Sequence, residues 1–433
     1  PEPCASIEVG ELVHDGRCVA HCDGKAVFID GALPGESVGF EYLATHRTFD
    51  EGRATQIHRS SADRVEPRCP HFGLCGGCSL QHMDTAAQIE AKQAMLLDNL
   101  ERIGRVVPES TLPPLTGPVW GYRTRARLGV KHVPNKGRVL VGFREKRRSL
   151  VADLARCEVL HPAVGEQLAA LAGLVDRMEA KARLPQIEVA VCDTVVALVF
   201  RHLDPLVEND RSLLQQFGQQ HDLHIYLQAA GPDSVELLWP ETSCLRYRLP
   251  AQDVVIEFRP TDFTQVNPEI NRQIVGRVLQ LLEPKPEESV LDLFCGLGNF
   301  TLPLARQAGT VTGIEGEAGL VSRARDNAVL NGIENASFHV ADLAADNIEA
   351  PWAGGPYDKV LLDPPRSGAA EVIDVLGNIR PARIVYVSCH PGSLARDAGR
   401  LVNEFGYRLE QAGVMDMFPH TAHVESIAVF EHD

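Results

Sequence analysis

No apolar run in this chain approaches the ~18–20 residues that a membrane helix needs, and no charged-then-apolar leader opens it, so a cytoplasmic protein without a membrane partner is expected. A surplus of positive charge is also lacking. The formal net charge is -16 over 433 residues, which argues against a generic nucleic-acid coat. Internal repeats and low-complexity tracts are absent, which excludes a repeat architecture. The eleven cysteines are an odd number and mostly isolated in apolar runs, so they do not form a disulfide framework. In a reducing compartment a close group of cysteines points instead to metal or catalysis. No obligate protein partner is evident. What is present is an ordinary apolar content of 44%, enough to bury cores, in a length that predicts two or three domains.

Residues 1–60 read as short strands, Ile7–Leu12, Ala26–Ile29, Glu36–Leu43 and Gly52–His58, separated by Asp23-Gly24, Asp30-Gly31 and Pro34-Gly35. Short strands without helical periodicity predict a small β-barrel of the oligonucleotide-binding kind. Residues 61–262 predict an α+β region that begins with three close cysteines and holds strands at Ile187–Val191, Thr194–Phe200 and Asp222–Gln228. From residue 263 to 433, apolar strands at Ser289–Phe294, Thr310–Ile314, Ser337–Val340, Lys359–Leu362 and Arg383–Val387 alternate with helices such as Leu320–Leu330 and Leu394–Phe405. That alternation predicts an α/β fold with a parallel, doubly wound sheet, its ligand beyond the carboxyl ends of the strands.

Within an acidic chain, residues 121–150 carry ten Lys/Arg and one acid, Glu145. A solvated β-surface explains such a run, and confined phosphate contact suits it as well.

The clearest ligand signal is Leu291-Asp292-Leu293-Phe294-Cys295-Gly296-Leu297-Gly298-Asn299-Phe300, which follows a strand and opens a helix. Gly296 and Gly298 let the backbone turn tightly against a ligand. Glu315, 23 residues after Asp292, ends the next strand, where an acid accepts bonds from ribose hydroxyls. A dinucleotide site wants a third glycine, and Thr301 stands there. A pyrophosphate wants no acids nearby, whereas a cationic sulfonium tolerates them. The stretch resembles motif I of class I S-adenosylmethionine methyltransferases. Asp342, after the third strand, stands where those enzymes contact adenine.

The fourth strand ends in Asp363-Pro364-Pro365-Arg366 and the fifth in Val387-Ser388-Cys389-His390, both aimed at the ligand crevice. Most isolated cysteines are small buried hydrophobes, but this position makes Cys389 a candidate nucleophile. C5 of uracil is too weak to attack a methyl sulfonium unaided. Thiolate addition at C6 produces an enolate and puts electron density on C5. After methyl transfer a base must remove the C5 proton. Glu425, at the end of Asp416–Glu425, is the candidate. An aromatic residue after Asp-Pro-Pro would suggest an exocyclic amine target, and Arg366 stands there. A 5-methylcytosine enzyme would place a cysteine beside the fourth-strand proline, and none is present.

Asp363-Pro-Pro-Arg-Ser-Gly368, Ile384-Val-Tyr-Val-Ser-Cys389, Asp416–Glu425 and Phe263-Thr-Gln-Val-Asn267 together resemble the RNA uracil-C5 methyltransferase family over nearly the whole chain. The resemblance implies Cys389 as nucleophile, Glu425 as base, and contacts to S-adenosyl-L-methionine from Gln265, Phe294, Asn299, Glu315, Asp342 and Asp363. Many members carry Asn after the cysteine and Thr three residues further on. Here His390 and Ser393 occupy those places.

Cys69-x5-Cys75-x2-Cys78, with Cys157 as a plausible fourth thiol, could hold zinc or a [4Fe–4S] cluster, since both accept four thiolates. Gly73, Gly76 and Gly77 let the loop fold, and Phe72, Leu74 and Leu80 can shield it. The resemblance implies [4Fe–4S]. Lying far in sequence from Cys389, the group reads as structural or RNA-organising. Residues 1–60 resemble a TRAM domain. Members that carry both barrel and cysteine group act on 23S rRNA, which is therefore the expected partner, whereas members acting on the tRNA T-loop lack both. A tRNA methyltransferase, an exocyclic-amine methyltransferase and a non-catalytic iron–sulfur RNA-binding protein remain as alternatives.

Overall fold

The computed structural model describes residues 4–345 and 350–432. Among them no helix is long and apolar enough to cross a membrane.

The strand Ser289–Leu293 and its neighbour Lys359–Leu362 are short, mostly apolar runs, interrupted by Asp292 and opened by Lys359, with every residue from Val290 to Leu293 and from Lys359 to Leu362 buried. Strands apolar on both faces need cover on both faces, which is the condition of a parallel sheet between helix layers. The sheet runs, in spatial order, Ala336–Val340, Thr310–Glu315, Ser289–Leu293, Lys359–Leu362, Arg383–Ser388, Glu425–Glu431, Arg408–Met415 and Ser110–Thr111. The first five are parallel, in the register Leu293↔Ile314, Leu293↔Leu362 and Leu362↔Tyr386. The helices Pro268–Leu282 and Ala370–Ile379 pack their buried faces into the two cores flanking it.

The far side of the sheet is not parallel. Glu425–Glu431 runs antiparallel between Arg383–Ser388 and Arg408–Met415. The chain from Met415 to Glu425 is a loop with no helix, and a connection of that kind cannot make the crossover that parallel neighbours require. The edge strand Ser110–Thr111 joins from the first half of the chain, pairing with Gln411 and Ala412. The sheet and its core thus reach across residue 262: Leu112, Leu115 and the hairpin Leu245–Leu249/Val254–Phe258 share one core with Val290, Val311 and Leu361.

Residues 4–59 form a five-stranded sheet around Val27, Ile29, Val38 and Phe40, all fully buried. Three of the expected strands lie at Lys25–Asp30, Ser37–Thr45 and Phe49–Arg59, the one expected at Ile7–Leu12 lies instead at Cys4–Glu8, and a further strand, Cys18–Cys22, joins them; the buried Cys18 thiol donates to the carbonyl of Ala32 at 3.3 Å. The strands expected near Ile187, Thr194 and Asp222 lie at Gln186–Val191, Val196–Arg201 and His224–Gln228 in a six-stranded sheet. Asp222 itself is left-handed (φ 53°) and ends the helix Glu208–His221.

Candidate active site

Strand Ser289–Leu293 stops where Phe294 turns left-handed (φ 68°), and Gly296 and Gly298 follow at φ 54° and 89°. The turn is stitched to the next strand, since Phe294 and Cys295 donate to the Ile314 carbonyl at 2.9 and 3.0 Å. Glu315 Oε2 accepts the Gly296 N–H at 3.1 Å and Oε1 that of Glu317 at 3.0 Å. Ala341, next to Asp342, donates to the Glu315 carbonyl at 3.0 Å. The exposed Asp342 accepts from Ala344 at 2.9 Å. Asn299 is held by Tyr247 (2.9 Å) and by a reciprocal amide pair with Asn271 (3.0 Å each). Gln265 lines a cavity of about 220 Å³ with Tyr247 and Asn271. Five of the six expected cofactor residues therefore surround one turn or its immediate supports. Asp363 closes the crevice from the end of the next strand and donates its N–H to the Leu293 carbonyl at 3.3 Å.

This crevice is acidic. Burial, and the nearby carboxylates of Asp363 and Glu315, push Asp292 up to about 7, although Thr301 donates to it at 2.6 Å. Its other oxygen has no partner among the described residues. Burial also pushes Asp363 up to about 7. A cation placed here would relieve both, and a pyrophosphate would make matters worse.

The register that pairs Ser388 with Ser426 puts Cys389 and Glu425 opposite each other at the adjoining ends of their strands. Both are partly buried. Burial raises the Cys389 thiol to about 11, helped by Glu425 and Asp363 and opposed by Arg366. Burial likewise raises Glu425 to about 8, with Asp363 adding to the rise and Arg366 and Lys92 opposing it. A thiol, two carboxylates and a guanidinium thus feel one another at the mouth of the crevice. His390 and Ser393 are explained locally. His390 caps the helix Pro391–Asn403, its Nδ1 accepting the Ser393 N–H at 3.2 Å, and Ser393 Oγ donates to the His390 carbonyl at 3.0 Å. That reciprocal cap fixes the backbone just after Cys389.

The cysteine group is far from Cys389 in sequence but not in space. Cys69, Cys75, Cys78 and Cys157 line one small pocket walled by Phe72, Phe143 and Leu154. Burial raises Cys75 to about 11 and Cys78 to about 12, and neighbouring thiols raise both further. The Gly77 N–H donates to the Cys75 sulfur at 3.4 Å. Among the described residues, no three His, Cys, Asp or Glu side chains are set closely enough to bind one metal ion. Cys78 and Ser79 then enter a groove of about 1260 Å³ that also holds Cys389, Arg366, His14 from the N-terminal five-stranded unit, and Arg144–Arg148.

The basic segment divides. Arg125 is spent internally, donating to the carbonyls of Pro260 and Asp262 at 2.7 and 2.6 Å. Arg127 pairs with Glu188, Arg138 with Asp153 and Lys146 with Asp30. The part that lines the groove with Cys389 is the turn Arg144–Arg148, within which Lys146 keeps its pairing with Asp30 and Arg147 pairs with Glu51.

Sequence reasoning passed over Gln88 and Lys92, which are buried near the loop leading to Glu425. Their signal was two polar residues at i and i+4 on a helix. It passed over Tyr247 and Asn271 too, which support Asn299 from other elements and carry no local motif.

The family described as tRNA (Uracil-5-)-methyltransferase matches residues 85–354 and 355–432. A protein of Methylococcus capsulatus named 23S rRNA (uracil(1939)-C(5))-methyltransferase RlmD is 56% identical over 431 residues, 99% of this chain and 97% of its own. One of the same name from Nitrosococcus oceani is 56% identical over 429 residues, 99% of this chain and 95% of its own. Among solved structures, the Pyrococcus abyssi tRNA (uracil-54, C5)-methyltransferase in complex with S-adenosyl-L-homocysteine is 25% identical. It covers 98% of this chain and 99% of its own with a TM-score of 0.75.

Proposed function

The chain belongs to the tRNA (uracil-5-)-methyltransferase family, and on that premise we propose that it methylates C5 of a uridine in 23S rRNA, the one numbered 1939 in its relatives' names. The methyl donor is S-adenosyl-L-methionine. The observation that carries this reading is the pairing of Cys389 and Glu425 across neighbouring strand ends, beside the acidic crevice. Gln265, Phe294, Asn299, Glu315, Asp342 and Asp363 hold the donor. The acidity contributed by Asp292 and Asp363 suits its positive sulfonium.

Cys389 Sγ loses its proton and bonds to C6, and the C5–C6 double bond becomes an enolate. C5 takes the methyl group from the sulfonium, which departs as the neutral thioether. Glu425 removes the C5 proton, the double bond re-forms, and the C6–S bond breaks. A target base stacked in RNA must first be turned out, at a cost of a few kcal/mol. The groove between barrel, cysteine loop and Arg144–Arg148 offers phosphate contacts that offset it.

The rRNA reading is favoured over tRNA by the 56% identity of relatives named for rRNA, against 25% for the tRNA enzyme. Incubating the protein and S-adenosyl-L-methionine with unmodified 23S rRNA and, separately, tRNA tests it. 5-Methyluridine at position 1939 and none in tRNA is expected, and methylation of tRNA alone would overturn the choice.

Residues 4–59 serve as a TRAM-type RNA-binding barrel, and Cys69, Cys75, Cys78 and Cys157 would hold a [4Fe–4S] cluster. Four partly buried thiols sharing one walled pocket, with a backbone donor on Cys75, suit that group. Ligands of a single zinc would crowd within about 4 Å of one another, given Zn–S bonds of about 2.3 Å, whereas in a cluster each thiolate binds its own iron. Bound there, the cluster supplies four Fe–S bonds that tie the 69–78 loop to Cys157. Protein purified without oxygen is expected to carry about four irons and matching sulfide per chain, and Cys157→Ser to lose them. One zinc per chain and no sulfide would refute this.

A further inference from the structure

Two polar side chains on one face of the helix Thr85–Asn99 are buried as deeply as core residues: Gln88 is 1% exposed and Lys92 2%. Spaced i and i+4, they share one face. A buried ammonium is tolerated only when paired. Lys92 Nζ donates to Asp416 Oδ1 at 2.7 Å and to the Phe418 carbonyl at 3.1 Å. Gln88 Oε1 accepts the His420 N–H at 2.9 Å, and its amide donates to the carbonyls of Leu80 and Met83 at 3.0 and 2.8 Å. His420 is left-handed at φ 65°, a conformation that persists in such a residue only where the surroundings over-determine it. They do so here. Ser79 and Leu80 donate to its carbonyl at 2.9 and 3.0 Å, and its ring stacks on Trp120 at 3.9 Å. Apart from the two bonds from the Gln88 amide to Leu80 and Met83, these contacts fall on residues 416–420, the stretch that delivers the chain from strand Arg408–Met415 to Glu425.

We infer that Gln88 and Lys92 are positioning residues for the reaction: by fixing the Asp416–His420 loop they set the Glu425 carboxylate opposite Cys389. The inference rests on the reading of Glu425 as base. Neither side chain touches Cys389 or the Gly296 turn, so the first half of the reaction should not need them. The groups facing Glu425 are Asp363 and Arg366 from the fourth-strand end, Cys389 from the fifth, and Lys92 from the helix. Lys92 and Arg366 favour its anion, and Asp363 opposes it. Losing Lys92 should therefore displace the base and also make it harder to ionise.

Lys92→Met alone strands Asp416 as a buried unpaired carboxylate, so the informative variants are Lys92→Met/Asp416→Asn, Lys92→Arg and Gln88→Met. Two rates are measured against pH: adduct formation on 5-fluorouridine RNA with S-adenosyl-L-methionine, and release of methylated ordinary RNA. The double variant should form the fluorinated adduct at the wild-type rate but release product about tenfold more slowly near neutrality, its rising pH limb moved to higher pH because one of the cations favouring the Glu425 anion is gone. Lys92→Arg should recover much of the release rate. Gln88→Met should slow release without moving the limb, because it removes no charge. Unchanged release and an unmoved limb in the double variant would overturn the inference. So would parallel loss of adduct formation and release, which marks a merely structural role. Failure of the unaltered enzyme to form any fluorinated adduct removes the covalent route itself, an outcome distinct from both.

Discussion

Replacing Cys389 with alanine is expected to lower methylation by roughly 10⁴-fold or more, the scale on which covalent catalysts lose activity when the nucleophile is deleted. Cys78, which lines the same groove, belongs to the cysteine group and is raised by burial to about 12. Cys295, the other cysteine of this domain's crevice, is buried, and burial together with Asp292 holds its thiol well above the usual range. Cys389→Ala should also abolish the denaturation-resistant band that the unaltered enzyme forms on 5-fluorouridine RNA, because fluorine at C5 cannot leave as a cation and freezes the adduct. Donor binding should survive, since the Gly296 turn and Glu315 lie on other strands. Residual methylation near the wild-type rate would refute the covalent route and with it the uracil-C5 reading.

Glu425→Gln should behave differently. The amide keeps the size of the side chain but cannot take the C5 proton, so attack and methyl transfer proceed and ordinary RNA accumulates as the methylated covalent adduct. Release should fall by about 10²–10⁴-fold, the usual worth of a positioned base. The pH dependence carries the sign. The base acts as its anion, and burial raises Glu425 to about 8. Release by the unaltered enzyme should therefore climb as pH rises through 8 and level off above it. In Glu425→Gln that limb should vanish. The Cys389 thiol, raised to about 11, should make adduct formation continue to rise over the same range in both proteins. Rapid denaturing gels of the variant with ordinary RNA read the adduct directly. Unimpaired release would assign the base elsewhere, with Asp363, raised by burial to about 7 and felt by both Cys389 and Glu425, as the next candidate.

Local chemistry was enough to find the parts that are contiguous in the chain. Gly296 and Gly298 announce a tight turn because few other residues accept positive φ cheaply. The apolar runs Val290–Leu293 and Val360–Leu362 announce strands buried on both faces, and Cys389 announces itself by standing just past the end of such a strand. The antiparallel Glu425–Glu431, inserted between Arg383–Ser388 and Arg408–Met415, was not legible, because hydrophobic alternation gives a strand but not its direction or neighbour. Nor was the edge strand Ser110–Thr111, whose two residues carry no period at all. The basic segment 121–150 was visible as charge, but which arginines were spent on Glu188 and Asp153 and which faced the groove depended on partners distant in the chain. The sequence by itself thus determined which candidate groups the chain carries: a thiol, a carboxylate, a glycine turn and a group of cysteines. Only the tertiary structure decided their relation. It put Cys389 opposite Glu425, brought Cys78 into the same groove, and buried Lys92 against Asp416. The reason is that a pKa, a paired buried charge and a shared cavity depend on distances between residues hundreds of positions apart, and those distances are set by how sheets and helices pack.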